Sequence, residues 1–326
     1  MRFPTQTLGE VGVTAAVLLL ATKASASPVP ADRSNELVKP SRGLRGPQGR
    51  VIGGTVVRDP SKWPFITALL QGAWDNYASC GGAMIAPRGM VTAAHCVFGD
   101  EPVDRGVVGE QNQDQFDDDS VFSGSKFMLS QVRRHPQYDP TREVNDIAIV
   151  GLDAPVDGPF AIVNSDSNVP RNNQALEVAG WGRVPERGVA NGDEQPTVEL
   201  MEAGPLFYIP PSRCSRLGGS DLEGGPLTDD TMCAAAPGKD SCSGDSGGPL
   251  MLLGENVLVG IVSHGVDCNF DDAGENPATY SRVSHNFDWI REQVCSFSRN
   301  DAPSYFNCGG DAPDTTATPN ADPDPS

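Results

Sequence analysis

Three observations predict an all-β fold for this chain of 326 residues. Between Val51 and about Val283 the apolar residues fall in short runs, and Gly, Pro, Asn and Asp punctuate them, which is the pattern of strands and turns. A helical apolar period appears only near the end of that region. The 245 residues from Val51 to Cys295 suit one large β unit or two small barrels.

In order, the runs are Phe65–Leu70, Ala83–Ala86, Ile147–Leu152, Leu176–Ala179 and Val257–Val262. Met90-Val91-Thr92 adds a further short strand, which ends in the small residues Ala93 and Ala94 before His95. The predicted helix follows Ser284, a residue type that caps helices, and Phe287, Ile290 and Val294 recur at i, i+3 and i+7 on one face.

The ends of the chain read differently. Residues 11–22 are uncharged and too short to span a bilayer, and Ala24-Ser25-Ala26 supplies a small-x-small cleavage site. Residues 1–26 are therefore expected to be a signal peptide, with a signal anchor as the alternative. Residues 27–50 are rich in Pro, Arg, Lys and Gly and form the expected propeptide, 51–295 the folded domain, and 296–326 an acidic tail rich in Pro and Thr, mostly disordered. No later segment is apolar enough to span a membrane. Eight cysteines behind a signal peptide point to disulfides made in an oxidising compartment, hence to a secreted, extracellular protein. No Cys-x-x-Cys spacing is present, and no metal ligand set is assigned.

Lys and Arg number 24 and Asp and Glu 43, a net charge of −19; loss of residues 1–50 removes 7 basic and 3 acidic residues, leaving 17 against 40, or −23. That balance argues against nucleic acid and anionic membranes as partners.

The most informative stretch is Asp240-Ser241-Cys242-Ser243-Gly244-Asp245-Ser246-Gly247-Gly248-Pro249. A serine hydroxyl becomes a nucleophile when a neighbouring base takes its proton and backbone N–H groups receive the charge that develops on the substrate. Glycines allow positive φ and close approach of the backbone to a ligand. Of the four histidines, His95, His135, His264 and His285, His95 stands out because it ends an apolar strand beside Cys96. Asp146 opens the apolar run Ile147–Val150 and supplies the acid that would orient the imidazole, whereas Asp114, Asp117, Asp118 and Asp119 sit in a polar segment.

Val51-Ile52-Gly53-Gly54, Thr92-Ala93-Ala94-His95-Cys96, Asp146-Ile147-Ala148 and Gly244-Asp245-Ser246-Gly247-Gly248-Pro249, in that order, resemble the trypsin-like (chymotrypsin-fold) serine peptidase family from about Val51 to Val294. The resemblance implies two packed six-stranded Greek-key β-barrels with a C-terminal helix and the catalytic cleft between the barrels. It implies His95 as general base and acid, Asp146 as its orienting partner, Ser246 as nucleophile, and the N–H groups of Gly244 and Ser246 as oxyanion hole. It selects the disulfides Cys80–Cys96, Cys214–Cys233 and Cys242–Cys268, leaving Cys295 and Cys308 to pair. Arg50 precedes Val51, so the resemblance implies a zymogen in which cleavage frees a Val51 ammonium that pairs with Asp245.

Asp240 falls where the family places the base of its first specificity pocket, so cleavage after Arg or Lys is expected. Ser241, Ser263, Gly265 and Ala278 complete the expected substrate-binding set. Two positions depart from the family: His264 replaces the usual tryptophan and Ala278 the usual glycine, so the preference of the outer subsites is not readable. The loop Glu110–Asp119 resembles the calcium-binding loop of some trypsins, although a solvated acidic turn fits equally well. The expected protein is thus a monomeric endopeptidase acting on proteins and peptides, open to protein protease inhibitors and requiring no cofactor. The alternative is a protease-like binding or inhibitor protein without catalysis.

Overall fold

The computed structural model describes residues 53–72, 77–99, 102–117, 124–182, 197–219, 225–265, 277–298 and 300–309. The expected signal peptide, the propeptide with Arg50, Val51, Cys268 and the acidic run after residue 309 all lie outside the described residues.

Most of the chain is β. The first sheet comprises β2 (Ile66–Leu70), β3 (Cys80–Ala86), β4 (Gly89–Thr92), β5 (Arg105–Val108), β6 (Ser125–Met128), β7 (Gln131–Arg134) and β8 (Ala148–Gly151). Its order is β6-β5-β2-β3-β4-β8-β7, all antiparallel. The two end strands are consecutive in sequence. Of the two residues that join them, Leu129 donates its N–H to Asp104 O at 3.0 Å and Ser130 Oγ donates to Gly151 O at 2.9 Å. The sheet therefore curls round its core as a half-barrel, bent at Leu129-Ser130.

The second sheet contains β1 (Thr55–Val56), β9 (Ile162–Val163), β10 (Ala175–Gly180), β11 (Met201–Ile209), β12 (Thr231–Ala235), β13 (Pro249–Leu252), β14 (Val257–His264) and β15 (Ala278–Arg282). Six of these, in the order β11-β10-β13-β14-β15-β12, close into a barrel because β12 also pairs with β11. The two-barrel architecture expected from the resemblance is present, with one barrel fully closed by strand pairing. The apolar runs named above become β2, β3, β8, β10 and β14, and their side chains fill the interiors: Ile66, Leu69, Ile85 and Ile149 in the first, Leu176, Val178, Val259 and Val262 in the second. Burying a Leu or Ile side chain contributes about 2 kcal/mol against the entropy of ordering it.

Besides the single turn α1 (Pro211–Cys214), the described residues hold one α-helix, α2 (Phe287–Phe297), with Ile290 and Val294 fully buried and Phe287 partly so. Its N-cap differs from the expectation. The helix starts after Asn286, whose carbonyl accepts the Ile290 N–H at 2.9 Å, while Ser284 Oγ instead accepts a hydrogen bond from Arg282 Nε. The chain then turns back as a strap. Cys295 is bonded to Cys308, Phe306 is buried against Phe287 with ring centroids 6.0 Å apart, and Tyr305 OH donates to Ala161 O while accepting the Val163 N–H. Cys80–Cys96 and Cys214–Cys233 are also formed, and Cys242 is bonded as well, its expected partner lying outside the described residues.

Candidate active site

His95 follows β4 at the start of a short 3-10 turn, and Asp146 stands two residues before β8, the neighbour of β4. Asp146 is fully buried and held by four hydrogen bonds. Its Oδ2 accepts from His95 Nδ1 at 2.7 Å and from Ser263 Oγ at 2.6 Å, its Oδ1 accepts the His95 N–H at 2.9 Å, and its carbonyl accepts from Ser281 Oγ at 2.6 Å. Burial alone would raise the Asp146 pKa, but His95 and these bonds outweigh it and hold the carboxyl below its ordinary value. Burial pulls His95 down. The Asp146 charge and hydrogen bond, with the Glu143 charge, more than offset that, so His95 lies above its ordinary value.

The serine loop belongs to the closed barrel and is fastened to the half-barrel at three points. Ser246 O accepts the Gly81 N–H at 2.6 Å and lies 3.6 Å from Cys96 Sγ, the neighbour of His95. Gly247, at φ 79°, packs so closely on the strand leading to His95 that a Cβ would sit 2.3 Å from Thr92 Oγ1. Gly248 donates to Asp245 O and packs on Gly81. Ser246 and His95, 151 residues apart in the chain, are thereby pinned to one patch between the two barrels, and both stay partly exposed. Within the loop the N–H groups of Asp245, Gly247 and Gly248 donate to Cys242 O, Val262 O and Asp245 O. Those of Gly244, at φ 95°, and Ser246 donate to no other described residue, which leaves both N–H groups available to a ligand.

Asp245 is buried. Its Oδ1 accepts the Gly182 N–H at 2.8 Å and its Oδ2 the Cys242 N–H at 2.9 Å. Burial pushes its pKa up to about 6 despite those bonds. Asp240 is buried too, its Oδ1 accepting the Ser241 N–H at 2.8 Å, and burial together with the Asp245 charge raises it to about 7 against that one bond. Ser241 Oγ lies 3.4 Å from the buried Tyr280 hydroxyl. Gly265 and Ala278 are neighbours: a Cβ on Gly265 would be 4.0 Å from Ala278 Cα.

His264 does not stand alone as an exposed surface group. Its Nδ1 is 3.2 Å from Glu143 Oε2 and 3.2 Å from Ser263 Oγ. Reading the sequence missed Glu143, Ser281, Gly180 and Gly182. Only the last two leave a local signal, Gly180-Trp181-Gly182, since a Cβ at either would meet the Asp245 carboxylate within 2.5 Å.

In the loop expected to hold calcium, Glu110 is buried and its Oε1 accepts the Gln111 and Asn112 N–H groups, while the Gln113 amide is spent on Ala78 N and Thr197 O. Asp117 is exposed, and Asp118 and Asp119 lie outside the described residues.

Residues 51–290 match the family model described as trypsin. The chain is similar to the venom peptide isomerase heavy chain of Agelenopsis aperta, 30% identical over 262 residues that cover 75% of this chain and 100% of that one. It is similar to trypsin beta of Drosophila erecta, 31% identical over 245 residues, 74% of this chain and 87% of that one. It is 32% identical over 265 residues to coagulation factor XII of Bos taurus, covering 76% of this chain and 40% of that one. A two-barrel fold, a histidine paired with a buried aspartate and a serine loop pinned beside them define a chymotrypsin-type serine hydrolase scaffold. This chain belongs to the trypsin family of serine proteases.

Proposed function

We propose that the chain is a secreted serine endopeptidase, made as a zymogen and cutting after Arg or Lys. The observation that carries the reading is the Asp146–His95 pair at 2.7 Å beside a serine loop whose Gly244 and Ser246 N–H groups are free of other described partners. In this family's mechanism Ser246 Oγ attacks the scissile carbonyl while His95 takes its proton, and Asp146 orients and stabilises the imidazolium. The two N–H groups receive the oxyanion. His95 returns the proton to the leaving amine, and water then hydrolyses the acyl-serine by the same route.

Specificity for Arg or Lys is supported by the buried Asp240 carboxyl, which accepts one N–H among the described residues and so gains from a long cation. The zymogen reading is supported by Asp245, a buried acid without an ionic partner among the described residues, which the ammonium released at Val51 would supply. Secretion is supported by the leader-like segment, the disulfides and the lack, among the described residues, of any helix long and apolar enough to cross a membrane. Substrates on this reading are proteins and peptides, met by a monomer that neither nucleic acid nor membrane recruits.

The test is hydrolysis of an arginine-based fluorogenic peptide by the chain cleaved after Arg50. Ser246→Ala should lose nearly all turnover, roughly a thousandfold or more, and Arg50→Gln should stay inactive without cleavage. Full activity of uncleaved Arg50→Gln would sink the zymogen reading, and cleavage mainly after aromatic or small residues would sink the specificity. A relative bears the name isomerase, so products are weighed: hydrolysis adds water to the peptide, isomerisation leaves its mass unchanged. No turnover of any peptide would favour the binding or inhibitor alternative.

Calcium at the loop Glu110–Asp119 is a separate, weaker proposal, because much of its donor set is already engaged. Equal melting temperatures in calcium and in chelator would remove it.

A further inference from the structure

Glu143 lies outside the triad yet shares its centre. It belongs to the turn before Asp146 and has φ 51°, a left-handed conformation costly for a residue with a long side chain. A carboxylate oxygen of Glu143, one of Asp146 and a ring nitrogen of His95 all lie within 4.8 Å of one another. Glu143 Oε2 is buried and close to His264 Nδ1, at 3.2 Å, though the geometry there falls short of a directed hydrogen bond. His264 Nδ1 is also 3.2 Å from Ser263 Oγ, whose own proton goes to Asp146 Oδ2 at 2.6 Å. Glu143, His264, Ser263, Asp146 and His95 thus form a ring.

When His95 takes the proton of Ser246 it becomes a cation that is only partly exposed to water. A carboxylate within about 5 Å stabilises that cation, and shielding from solvent strengthens the effect. Asp146 is one such group. We propose that Glu143, held against His264, is a positioning residue of the catalytic centre: a second carboxylate that stabilises the positive charge formed on His95. The inference deepens the protease reading and rests on His95 being its base. The upward direction of the His95 pKa has the Glu143 charge among its causes, after the downward pull of burial and the upward pull of Asp146.

Other charged or titratable groups also lie near Glu143 among the described residues, beginning with Arg142, next to it in the chain. The Tyr138 phenol is pushed up by burial and by Asp146 and Glu143, Asp139 adds a small negative contribution, and Arg134, over the Phe98 ring at 4.7 Å, opposes them. The Asp230 carboxylate accepts the Asn145 N–H and shapes the same turn. The Glu143 charge is one of those that raise His95, so its removal is expected to lower the proton affinity of His95.

The test titrates the His95 imidazole by NMR in the full chain carrying Ser246→Ala, with and without Glu143→Gln; four histidines make assignment by substitution practical. The His95 midpoint is expected to fall by about half a pH unit or more, and in cleaved enzyme the acid limb of kcat/KM should fall with it, accompanied by a lower kcat. Glu143→Asp should restore part of both, which also separates the effect from misfolding. An unmoved His95 in a folded Glu143→Gln protein overturns the inference. So does a change confined to KM among peptides that differ in the residue before the arginine, since that makes Glu143 a substrate contact. No turnover by the parent enzyme overturns the protease reading, whereas the NMR result judges the electrostatics of Glu143 independently.

Discussion

Asp240 and Asp245 are two buried acids that burial drives towards neutrality in the same loop. Asp240, raised to about 7 by burial, loses its charge as the pH falls through that value, and on the proposed reading that charge is what binds the substrate cation. KM for an arginyl peptide should therefore rise below about pH 7, and KM for a neutral peptide should not; parallel pH profiles with the two peptides check this. For Asp245 the folded pKa of about 6 lies above the 3.8 of an ordinary Asp. Its stabilising contribution is thus full below the lower value and lost as the pH rises through the higher one. A shift of that size corresponds to about 3 kcal/mol. In the uncleaved chain, Asp245→Asn should recover most of that at pH 8 and nothing at pH 4, as read from urea unfolding at the two pH values. The serine, the histidine and both acids were legible because each sits in a short local motif. Glu143 was not, since its role depends on a turn with left-handed φ at residues 143 and 145 that brings it beside His95 and His264.

At the scale of elements, the apolar runs predicted strands well because short continuous runs bounded by turn residues fit strands buried on both faces. The helix was predicted on the right face but with the wrong cap: Ser284 is taken up by Arg282, and the chain needs two more residues to turn before α2 begins. The strap after α2 carried no periodic signal, having one disulfide and the pair Tyr305-Phe306. Phe306 is fully buried in the core of the half-barrel. Phe306→Ala should destabilise the protein by about 3–5 kcal/mol, measured by denaturant unfolding, with little effect on the relative activity of the folded fraction because Phe306 touches Phe287 and Tyr305. A loss of activity at full stability would contradict that separation.

Over the whole molecule the dominant property is charge. The chain from Val51 onward, tail included, has 17 basic against 40 acidic residues, and a net negative charge accelerates the approach of cationic peptides through forces that salt screens beyond about 10 Å at 0.1 M. The kcat/KM for arginyl peptides should fall as ionic strength rises, while that for an uncharged ester changes little; equal slopes for both would show that the charge is only solubilising. The two-barrel arrangement was legible only through the order of four motifs, since strand patterning alone fits one large β unit as well as two small ones.

The sequence by itself singled out the groups to which the proposed reading gives the chemistry: Ser246, His95, Asp146, Gly244 and Asp240. These are matters of residue type and local backbone freedom, fixed over a few neighbouring residues. Only the tertiary structure decided how those groups meet. The Gly81–Ser246 bond, the contact of Gly247 with Thr92 and the ring through Ser263, His264 and Glu143 join segments 50 to 170 residues apart. Such contacts arise from the packing of one sheet against another, and no local pattern in the chain encodes their distances.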